Sequence, residues 1–354
     1  MKNRIKKYHI LHSKLQNMSS EELIKIFNLG IKPELKNNSI GKIDGINIFI
    51  KKIPCTTLEF NNMFDTSNLF NLPTYYNYPI GSAGINCFRE LLTHIKTTKW
   101  VLDGLIDNFV MMYHFRIIKK DNITLDQTKI DKTIRKWNNN PNIKNYLEQR
   151  QKAPYEILIV LEYFPNVLKN WIQLDYKNIY SYEKQIYPIL SFMNKNHLIH
   201  FDSHSRNILV SNDGIIYLTD FGLALDLDFD LNENEKKFFK ANSNFDYGLG
   251  LLNILDLLFS KTIETKDIQN QKYLIDNFNL VFDNISIIQN IKILLKYLEP
   301  ICKYLNIPNK YQNQVKKYAK LSLLMEKFFI DLQKSVKKEN ILFPNKKIKK
   351  LIKI

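Results

Sequence analysis

The chain has 354 residues, a formal net charge of +16 and an apolar share of 45%. This length and composition suffice to bury a sizeable core, in one large domain or two modest ones. No apolar run approaches the roughly 18 residues that a membrane-spanning helix needs, and the polar residues after Met1 do not resemble a secretory signal. We therefore expect a cytoplasmic protein without a membrane span.

The excess of positive charge does not by itself predict binding to nucleic acid. Basic residues are spread along the chain, with a local cluster only at residues 346–350 (KKIKK), which we interpret as a solvated tail. We therefore expect no specific nucleic-acid partner. Cys55, Cys87 and Cys302 are too few and too widely spaced for a disulfide framework or a zinc site, and we expect them to be small buried side chains.

The N-terminal part predicts a helix followed by a pair of strands. Ser19 and Glu22 form a capping-box pattern that opens a helix, and Gly30 closes it. Residues 40–52 (IGKIDGINIFIKK) predict two strands that meet at an Asp-Gly turn. Pro54 is expected to end the second strand, because proline cannot donate a hydrogen bond to a neighbouring strand.

A second helix and two more strands are predicted next. Residues 85–95 have the helical period, with an apolar face made of Phe88, Leu91, Leu92 and Ile95. Strand-like runs occur at residues 109–118 and 155–163. Between these runs, the polar stretch 119–153 predicts a helical insertion.

From residue 166 onward the helical period dominates, apart from the stretch 197–224. Strands followed by helices predict an α+β fold of two lobes. We expect a small, mainly antiparallel β lobe with one key helix at residues 1–164, and a larger helical lobe at residues 165–354. The hinge between them is expected at residues 162–166.

The stretch 197–224 (HLIHFDSHSRNILVSNDGIIYLTDFGLA) carries the chemistry. Two short apolar runs separated by Asn-Asp-Gly predict a β-hairpin. Asp202 and Asn207 lie on the loop before its first strand, and Asp220 lies at the end of its second strand. Three side chains with oxygen ligands thus share one rim, an arrangement that predicts a site for magnesium and a nucleotide. Five acidic residues follow within 226–235.

These residues resemble two motifs of the protein-kinase-like superfamily. His200-Phe201-Asp202 followed by Asn207 is similar to the catalytic loop, and Asp220-Phe221-Gly222 is similar to the metal-binding triplet. The spacing of the two acids also matches the family. Further similar positions are the strand lysine Lys51, the helix acid Glu90 and the buried acid Asp246. The resemblance covers residues 40–260.

The resemblance implies a two-lobed protein-kinase-like fold that binds ATP and Mg²⁺ and transfers a phosphoryl group. It implies that Asn207 and Asp220 hold magnesium and that Asp202 orients the acceptor hydroxyl and accepts its proton. It also implies that Lys51 holds phosphates and is itself held by Glu90.

Further cofactor-binding positions follow from the same resemblance. Residues 36–41 (KNNSIG) stand where the family has its phosphate loop, although they contain one glycine only. Asn and Ser can also turn and offer backbone amides there. The implied cofactor-binding residues outside the motifs are Asn38, Ser39, Gly41, Glu162 and Phe164.

Several alternatives stay open. Lys52 adjoins Lys51, although Lys51 fits the family pattern better. A protein Ser/Thr acceptor is favoured by Asp-Phe-Gly, whereas His204 and the short segment 222–246 favour a small hydroxylated acceptor, as in aminoglycoside and choline kinases. Phe201 replaces the Arg of many regulated protein kinases. The degenerate phosphate loop is the argument for a pseudokinase without turnover.

Overall fold

The computed structural model describes residues 2–32, 37–120, 125–175, 177–263, 268–281 and 287–352. Within them, the helices are α1 (Lys2–Asn17), α2 (Ser20–Leu29), α3 (Thr57–Asn61), α4 (Cys87–Leu102), α5 (Gln127–Arg135), α6 (Pro141–Gln151), α7 (Leu168–Leu174), α8 (Asn178–Lys195), α9 (Glu233–Ala241), α10 (Phe245–Ile263), α11 (Ile268–Phe278), α12 (Ile287–Lys296), α13 (Leu298–Tyr304), α14 (Gln312–Lys334) and α15 (Asn345–Ile352). The strands are β1 (Asn38–Ile43), β2 (Ile46–Cys55), β3 (Met112–Lys119), β4 (Tyr155–Glu162), β5 (Asn166–Val167), β6 (Leu198–Ile199), β7 (Ile208–Val210), β8 (Ile216–Leu218) and β9 (Leu225–Asp226). Short 3₁₀ turns occur at Thr74–Asn77, Asn309–Tyr311 and Lys338–Asn340.

The chain divides into two compact units. The first comprises Met1–Pro165, His200–Asp202 and Leu209–Phe239, and the second comprises Asn166–Ile199, Ser203–Ile208 and Lys240–Ile354. An antiparallel sheet is the centre of the first unit, and the second is helical. The predicted α+β class, with an antiparallel sheet in the N-terminal part and a helical remainder, is confirmed.

The sheet of the first unit has the strand order β1-β2-β4-β3, with every neighbouring pair antiparallel. The predicted Asp-Gly hairpin joins β1 and β2, because Asp44 and Gly45 adopt the positive φ values that a tight hairpin turn requires. Leu91 of α4 packs on the sheet beside the buried Ile157 and Ile159 of β4. This packing fixes α4 against the strand that carries Lys51.

Two details of the predicted sheet lobe are wrong. The strand β2 continues through Pro54 to Cys55. Its partner β1 ends opposite Lys51, so the nitrogen of Pro54 faces an edge where no strand needs a donor. Ile95, predicted on the apolar face of α4, is exposed, because polar residues of this helix are buried in its place.

Of the helices around the sheet, some were predicted from the sequence and one was not. Ser19 and Glu22 form the predicted capping box of α2. The predicted insertion contains α5 and α6, and its residues 121–124 lie outside the described residues. The helix α1 was not predicted, because its sequence is rich in Lys and His and only Leu11 and Leu15 are fully buried.

The second unit is built on close helix packing. The hydroxyl of Tyr182 in α8 donates to the carbonyl of Gly250 in α10 at 2.7 Å. A side chain at Gly248 would overlap Met325 of α14, so glycine lets these two helices approach. Among the described residues, no helix is both long enough and apolar enough to cross a bilayer.

Candidate functional site

Three ionisable side chains of the first unit meet beside β2. Lys51 extends from this strand, Glu90 lies in the first turn of α4, and Asp220 follows β8. The Nζ atom of Lys51 lies 2.5 Å from Oε1 of Glu90 and 2.8 Å from Oδ1 of Asp220. One ammonium group therefore joins two carboxylates that come from distant parts of the sequence.

The electrostatics of this cluster make Asp220 the acid that can receive a cation. Burial alone would lower the pKa of Lys51, but the charges of Asp220 and Glu90 outweigh it and raise that pKa. Burial would likewise raise the pKa of Asp220, but the Lys51 ammonium outweighs it and lowers the pKa to about 2. Burial raises the pKa of Glu90, which Lys51 opposes. Asp220 is therefore ionised at neutral pH, and its side chain is 41% exposed.

The structure distinguishes the two adjacent lysines of β2. Consecutive residues of a strand point to opposite faces. Lys52 accordingly lies on the other side of the sheet, where its Nζ is 3.4 Å from Oε2 of Glu156 and 4.3 Å from the ring centre of Phe27. Glu90 and Asp220 are thus paired with Lys51.

The triplet 220–222 is held in an uncommon backbone conformation. Asp220 has φ +63°, in the left-handed region that non-glycine residues seldom adopt. The buried ring of Phe221 packs against the rings of His94 and His200, at centroid distances of 4.8 and 5.0 Å. Gly84 approaches the carbonyl oxygen of Gly222 so closely that a Cβ atom would overlap it.

The close approach of Gly84 gives a test of how firmly the triplet is held. Gly84 has φ +84°, so Gly84→Ala combines a backbone penalty of about 1–2 kcal/mol with the overlap on Gly222. We expect this substitution to lower the free energy of unfolding, measured in urea, by more than about 2 kcal/mol. Gly104→Ala is the matched control, because Gly104 has φ +71° and open space around it. Equal losses in the two variants would contradict the packing argument.

The segment before Asp202 is tied to the segment before Asp220. The backbone N–H of Asp202 donates to Nδ1 of His200 at 3.2 Å, and Nε2 of His200 lies 2.9 Å from the carbonyl of Thr219. Since Nδ1 accepts, the proton is assigned to Nε2, which donates to Thr219. His200 therefore braces the two segments. The ring of Phe201 stacks on that of Phe238.

The second unit contains Asn207 and the residues that brace its loop. The N–H of Asn207 donates to the carbonyl of His204 at 2.9 Å, and Asn207 is buried. The hydroxyl of Ser203 donates to Oδ1 of Asp246 at 3.5 Å, and the amide of Asn253 donates to the carbonyl of Ser203 at 2.9 Å. Asp246 thus contacts the residue that follows Asp202, from the position where the sequence predicted a bracing acid.

A family model described as the protein kinase domain matches residues 110–245. This range contains Asp202, Asn207 and Asp220 in the spacing described above. Residues 110–245 are therefore similar to the protein kinase domain, which supports a protein-kinase-like protein. Lys51 and Glu90 precede the matched range, so the family model does not cover their ion pair.

Short stretches of this kinase-like chain also resemble individual kinases. A probable serine/threonine-protein kinase of Clostridium acetobutylicum is 37% identical over 71 residues, which are 19% of this chain and 11% of that protein. Human cyclin-dependent kinase-like 2 is 33% identical over 119 residues, 31% of this chain and 22% of the relative. Mouse serine/threonine-protein kinase PAK 1 is 34% identical over 95 residues, 26% and 17% of the two chains. The chain thus aligns with between a tenth and a quarter of each of these relatives.

The predicted phosphate loop of this kinase-like protein is only partly a loop. Asn38, Ser39 and Gly41 lie within β1, paired with β2. The hydroxyl of Ser39 is buried and donates to the carbonyl of Phe27 at 2.7 Å, so it is not available to a phosphate. Lys36 lies outside the described residues.

Glu162, in the predicted hinge, is paired with Arg4 of α1. Its guanidinium donates to both carboxylate oxygens of Glu162, at 2.9 and 2.7 Å, and to the carbonyls of Asp107 and Phe109. The carboxylate of Glu162 is therefore engaged, and its backbone N–H donates to the carbonyl of Met111 at 2.8 Å. Phe164 stacks on Tyr217 with ring centres 4.0 Å apart.

His94 makes the stability of the kinase-like core sensitive to acid. Its ring is fully buried, and neither ring nitrogen has a hydrogen-bond partner in the described part of the chain. Burial, reinforced by the charge of Lys51, lowers the pKa of His94 from 6.5 to about 3. The unfolded chain thus binds a proton that the folded protein excludes. The resulting stability is complete above the unfolded pKa and is lost as the pH falls from 6.5 towards 3.

We expect His94→Phe to flatten this dependence. Between the two pKa values, the free energy of unfolding of the wild type falls by up to about 1.4 kcal/mol per pH unit through this one group. The variant lacks that contribution, so its free energy of unfolding falls less steeply than that of the wild type as the pH is lowered. Urea unfolding at several values between pH 7 and pH 4 would measure it, with the exposed His9→Gln as control. Parallel curves for wild type and His94→Phe would refute the prediction.

Arg4, Arg89 and His94 are residues of the site region that sequence reasoning missed. Arg89 is buried and paired with Glu235. Its position one residue before Glu90, together with the acidic run at 226–235, was the available signal. For Arg4 there was none, since its partner Glu162 is 158 residues away.

Proposed function

We propose that this protein transfers the γ-phosphoryl group of ATP to a hydroxyl group, with a protein serine or threonine as the acceptor. The observation that supports this most directly is the cluster of Lys51, Glu90 and Asp220. It pairs a fixed cation with a carboxylate that stays ionised and partly exposed at neutral pH. Phosphoryl transfer depends mainly on positioning and on neutralising phosphate charge, which such a cluster can provide.

The residues present fit magnesium and ATP. A carboxylate of low pKa and an amide oxygen are the hard ligands that Mg²⁺ prefers, so Asp220 and Asn207 would hold the ion. Magnesium, when bound, neutralises charge on the phosphates. Lys51 contributes a positive charge towards the phosphates and is kept in place by Glu90. Asp202 orients the acceptor hydroxyl and accepts its proton.

We propose fewer nucleotide-binding groups than the sequence alone predicted. The backbone carbonyl of Glu162 and the backbone of Phe164 are assigned to the adenine, because Arg4 occupies the Glu162 side chain and Met111 accepts from its N–H. The backbone of Asn38 and Gly41 is assigned to the phosphates. The hydroxyl of Ser39 has no role in the proposal, since it is bound to another residue.

The choice of a protein acceptor rests on the relatives, which include serine/threonine-protein kinases by name. The three cysteines, all buried and unpaired, support a cytoplasmic location, where thiols stay reduced. His204 and the absence of Ala-Pro-Glu after the triplet favour a small hydroxylated acceptor instead. The test of the proposal therefore also includes small hydroxylated acceptors.

The proposal is tested by incubating the purified protein with magnesium and ATP labelled at the γ-phosphate. One set of reactions contains generic acidic and basic protein substrates, and another contains choline and aminoglycosides. We expect label on protein serine or threonine, and none when magnesium is chelated. Label on the small molecules alone would replace the protein acceptor with the second reading. Nucleotide binding without transfer to any acceptor would contradict the proposed activity and identify a pseudokinase.

A further inference from the structure

The segment that follows the metal-binding triplet has an unusual composition. Residues 222–242 contain five acidic side chains and no Ser, Thr or Tyr. In many kinases this part of the chain is ordered when an added phosphate pairs with arginine. Here residues 222–242 offer no hydroxyl for such a phosphate, and the first hydroxyl after them is that of Ser243, but they offer permanent carboxylates. All of them belong to the first unit, together with Lys51 and Glu90.

The buried acid Glu235 pairs with the helix that carries Glu90. Nη2 of Arg89 donates to Oε1 of Glu235 at 2.7 Å, and Nε of Arg89 donates to the carbonyl of Thr66, also at 2.7 Å. Arg89 and Glu235 have side-chain exposures of only 2% and 5%. Salt screens a charge pair that is this deeply buried only weakly. Removing one partner leaves the other as a buried charge without a counter-ion.

A second set of contacts holds the same helix further along. Nζ of Lys96 lies 2.6 Å from Oδ2 of the buried Asp226 and 2.8 Å from Oδ2 of the exposed Asp228. The hydroxyl of Thr66 donates to Asp230 at 2.7 Å. Thr66 also binds Arg89 through its carbonyl, so the loop before α4 joins the same network.

The two anchoring points lie on one side of α4. Arg89 and Lys96 are seven residues apart, which is about two helical turns. Glu90 follows Arg89 directly, so any movement of the first turn of α4 moves the carboxylate that holds Lys51 at 2.5 Å. The carboxylates of the acidic segment thus act on Lys51 through the position of α4.

We propose that Glu235 and Asp226 are positioning residues for the catalytic cluster: they hold α4 where Glu90 meets Lys51, and so assemble the site without phosphorylation of the segment. This inference rests on the proposed kinase activity for its consequence in turnover. Its structural part, the anchoring of α4, is independent of any activity. The two can therefore fail separately.

The variants that test the anchoring are Glu235→Gln and Lys96→Ala. Gln keeps the acceptor that binds the N–H of Asn232 at the start of α9 but removes the charge that holds Arg89. Glu233→Gln is the matched control on the same helix, because Glu233 is 78% exposed and its ion pair with Lys236 lies on the surface. Gly45→Ala is the control for stability, since Gly45 has a positive φ and open space around it.

Two measurements on these variants test whether the acidic segment holds α4 in place. Amide hydrogen exchange across residues 87–102 is expected to accelerate in Glu235→Gln and Lys96→Ala, but not in the two controls. Turnover at saturating ATP is expected to fall by about 10- to 100-fold in the same two variants, as when a positioning partner of a metal site is lost. Phosphatase treatment of the wild type is expected to leave turnover unchanged.

Unchanged exchange of α4 in both variants would overturn the anchoring, whatever the activity. Loss of wild-type turnover after phosphatase treatment would overturn the independence from phosphorylation. If turnover fell as much in Gly45→Ala as in Glu235→Gln, loss of stability alone would explain the lower turnover. The positioning role of Glu235 would then be wrong. A wild-type protein without any turnover would count against the proposed function alone, and the exchange measurement would still test the anchoring.

Discussion

Replacing Asp202 with Asn is expected to lower turnover by about 10²- to 10⁴-fold, the range that general-base catalysis contributes in enzymes. Asparagine has nearly the same shape but cannot accept the proton of the acceptor hydroxyl. The backbone N–H of Asp202 donates to His200, and this contact does not depend on the side chain. The loop should therefore keep its conformation. Initial rates at varied ATP, with direct titration of ATP in the presence of magnesium, would separate turnover from binding.

The matched control is Asp213→Asn, which removes the same charge from the exposed turn of the β7–β8 hairpin. We expect this variant to behave as the wild type, and Asp202→Asn to bind ATP as the wild type does. Wild-type turnover in Asp202→Asn would mean that another group accepts the proton. The catalytic assignment of Asp202 would then be wrong.

Replacing Asp220 with Asn is expected to remove the dependence of nucleotide binding on magnesium. Asp220 is ionised at neutral pH because Lys51 lowers its pKa to about 2, and the neutral amide of asparagine cannot supply that charge to the ion. Turnover should fall by at least about 10²- to 10³-fold, the effect of deleting one electrostatic contact to a transition state. The defect should differ in kind from that of Asp202→Asn, since binding itself is weakened.

Titrations of ATP at several magnesium concentrations would measure this directly, again with Asp213→Asn as control. In the wild type, ATP affinity should rise as magnesium is added, and in Asp220→Asn it should stay flat. A steep dependence on magnesium that survives the substitution would move the metal site away from Asp220. The proposed division of roles between Asp220 and Asp202 would then fail.

The local parts of this structure could be predicted from the sequence. The Asp-Gly turn joining β1 and β2 depends on two adjacent residues with positive φ, and the capping box of α2 depends on residues three apart. The motif at 200–222 identified the family because its residues keep a fixed spacing within one loop and one hairpin. Signals of this kind are complete within a few residues of sequence.

The parts that could not be predicted depend on contacts between distant segments. Pro54 remains in β2 only because β1 is too short to need its nitrogen as a donor. The environment of Ser39 is set by the carbonyl of Phe27 in α2, and that of Arg89 by Glu235, 146 residues away. Periodicity along one segment contains no information about such partners.

The docking of α1 has a consequence for the order in which the chain folds. Leu11 and Leu15 of this helix are buried against a cluster that includes Tyr113 and Val160, and Arg4 reaches Glu162, 158 residues further along. At about 5–20 residues per second, a ribosome needs about 8–30 s to make the residues between Arg4 and Glu162. During that interval β3 and β4, which carry Tyr113 and Val160, are incomplete, so the apolar side of α1 lacks part of its cover. The contact between Arg4 and Glu162 therefore forms late, and we expect the yield of folded protein to depend on how well α1 is protected before it docks.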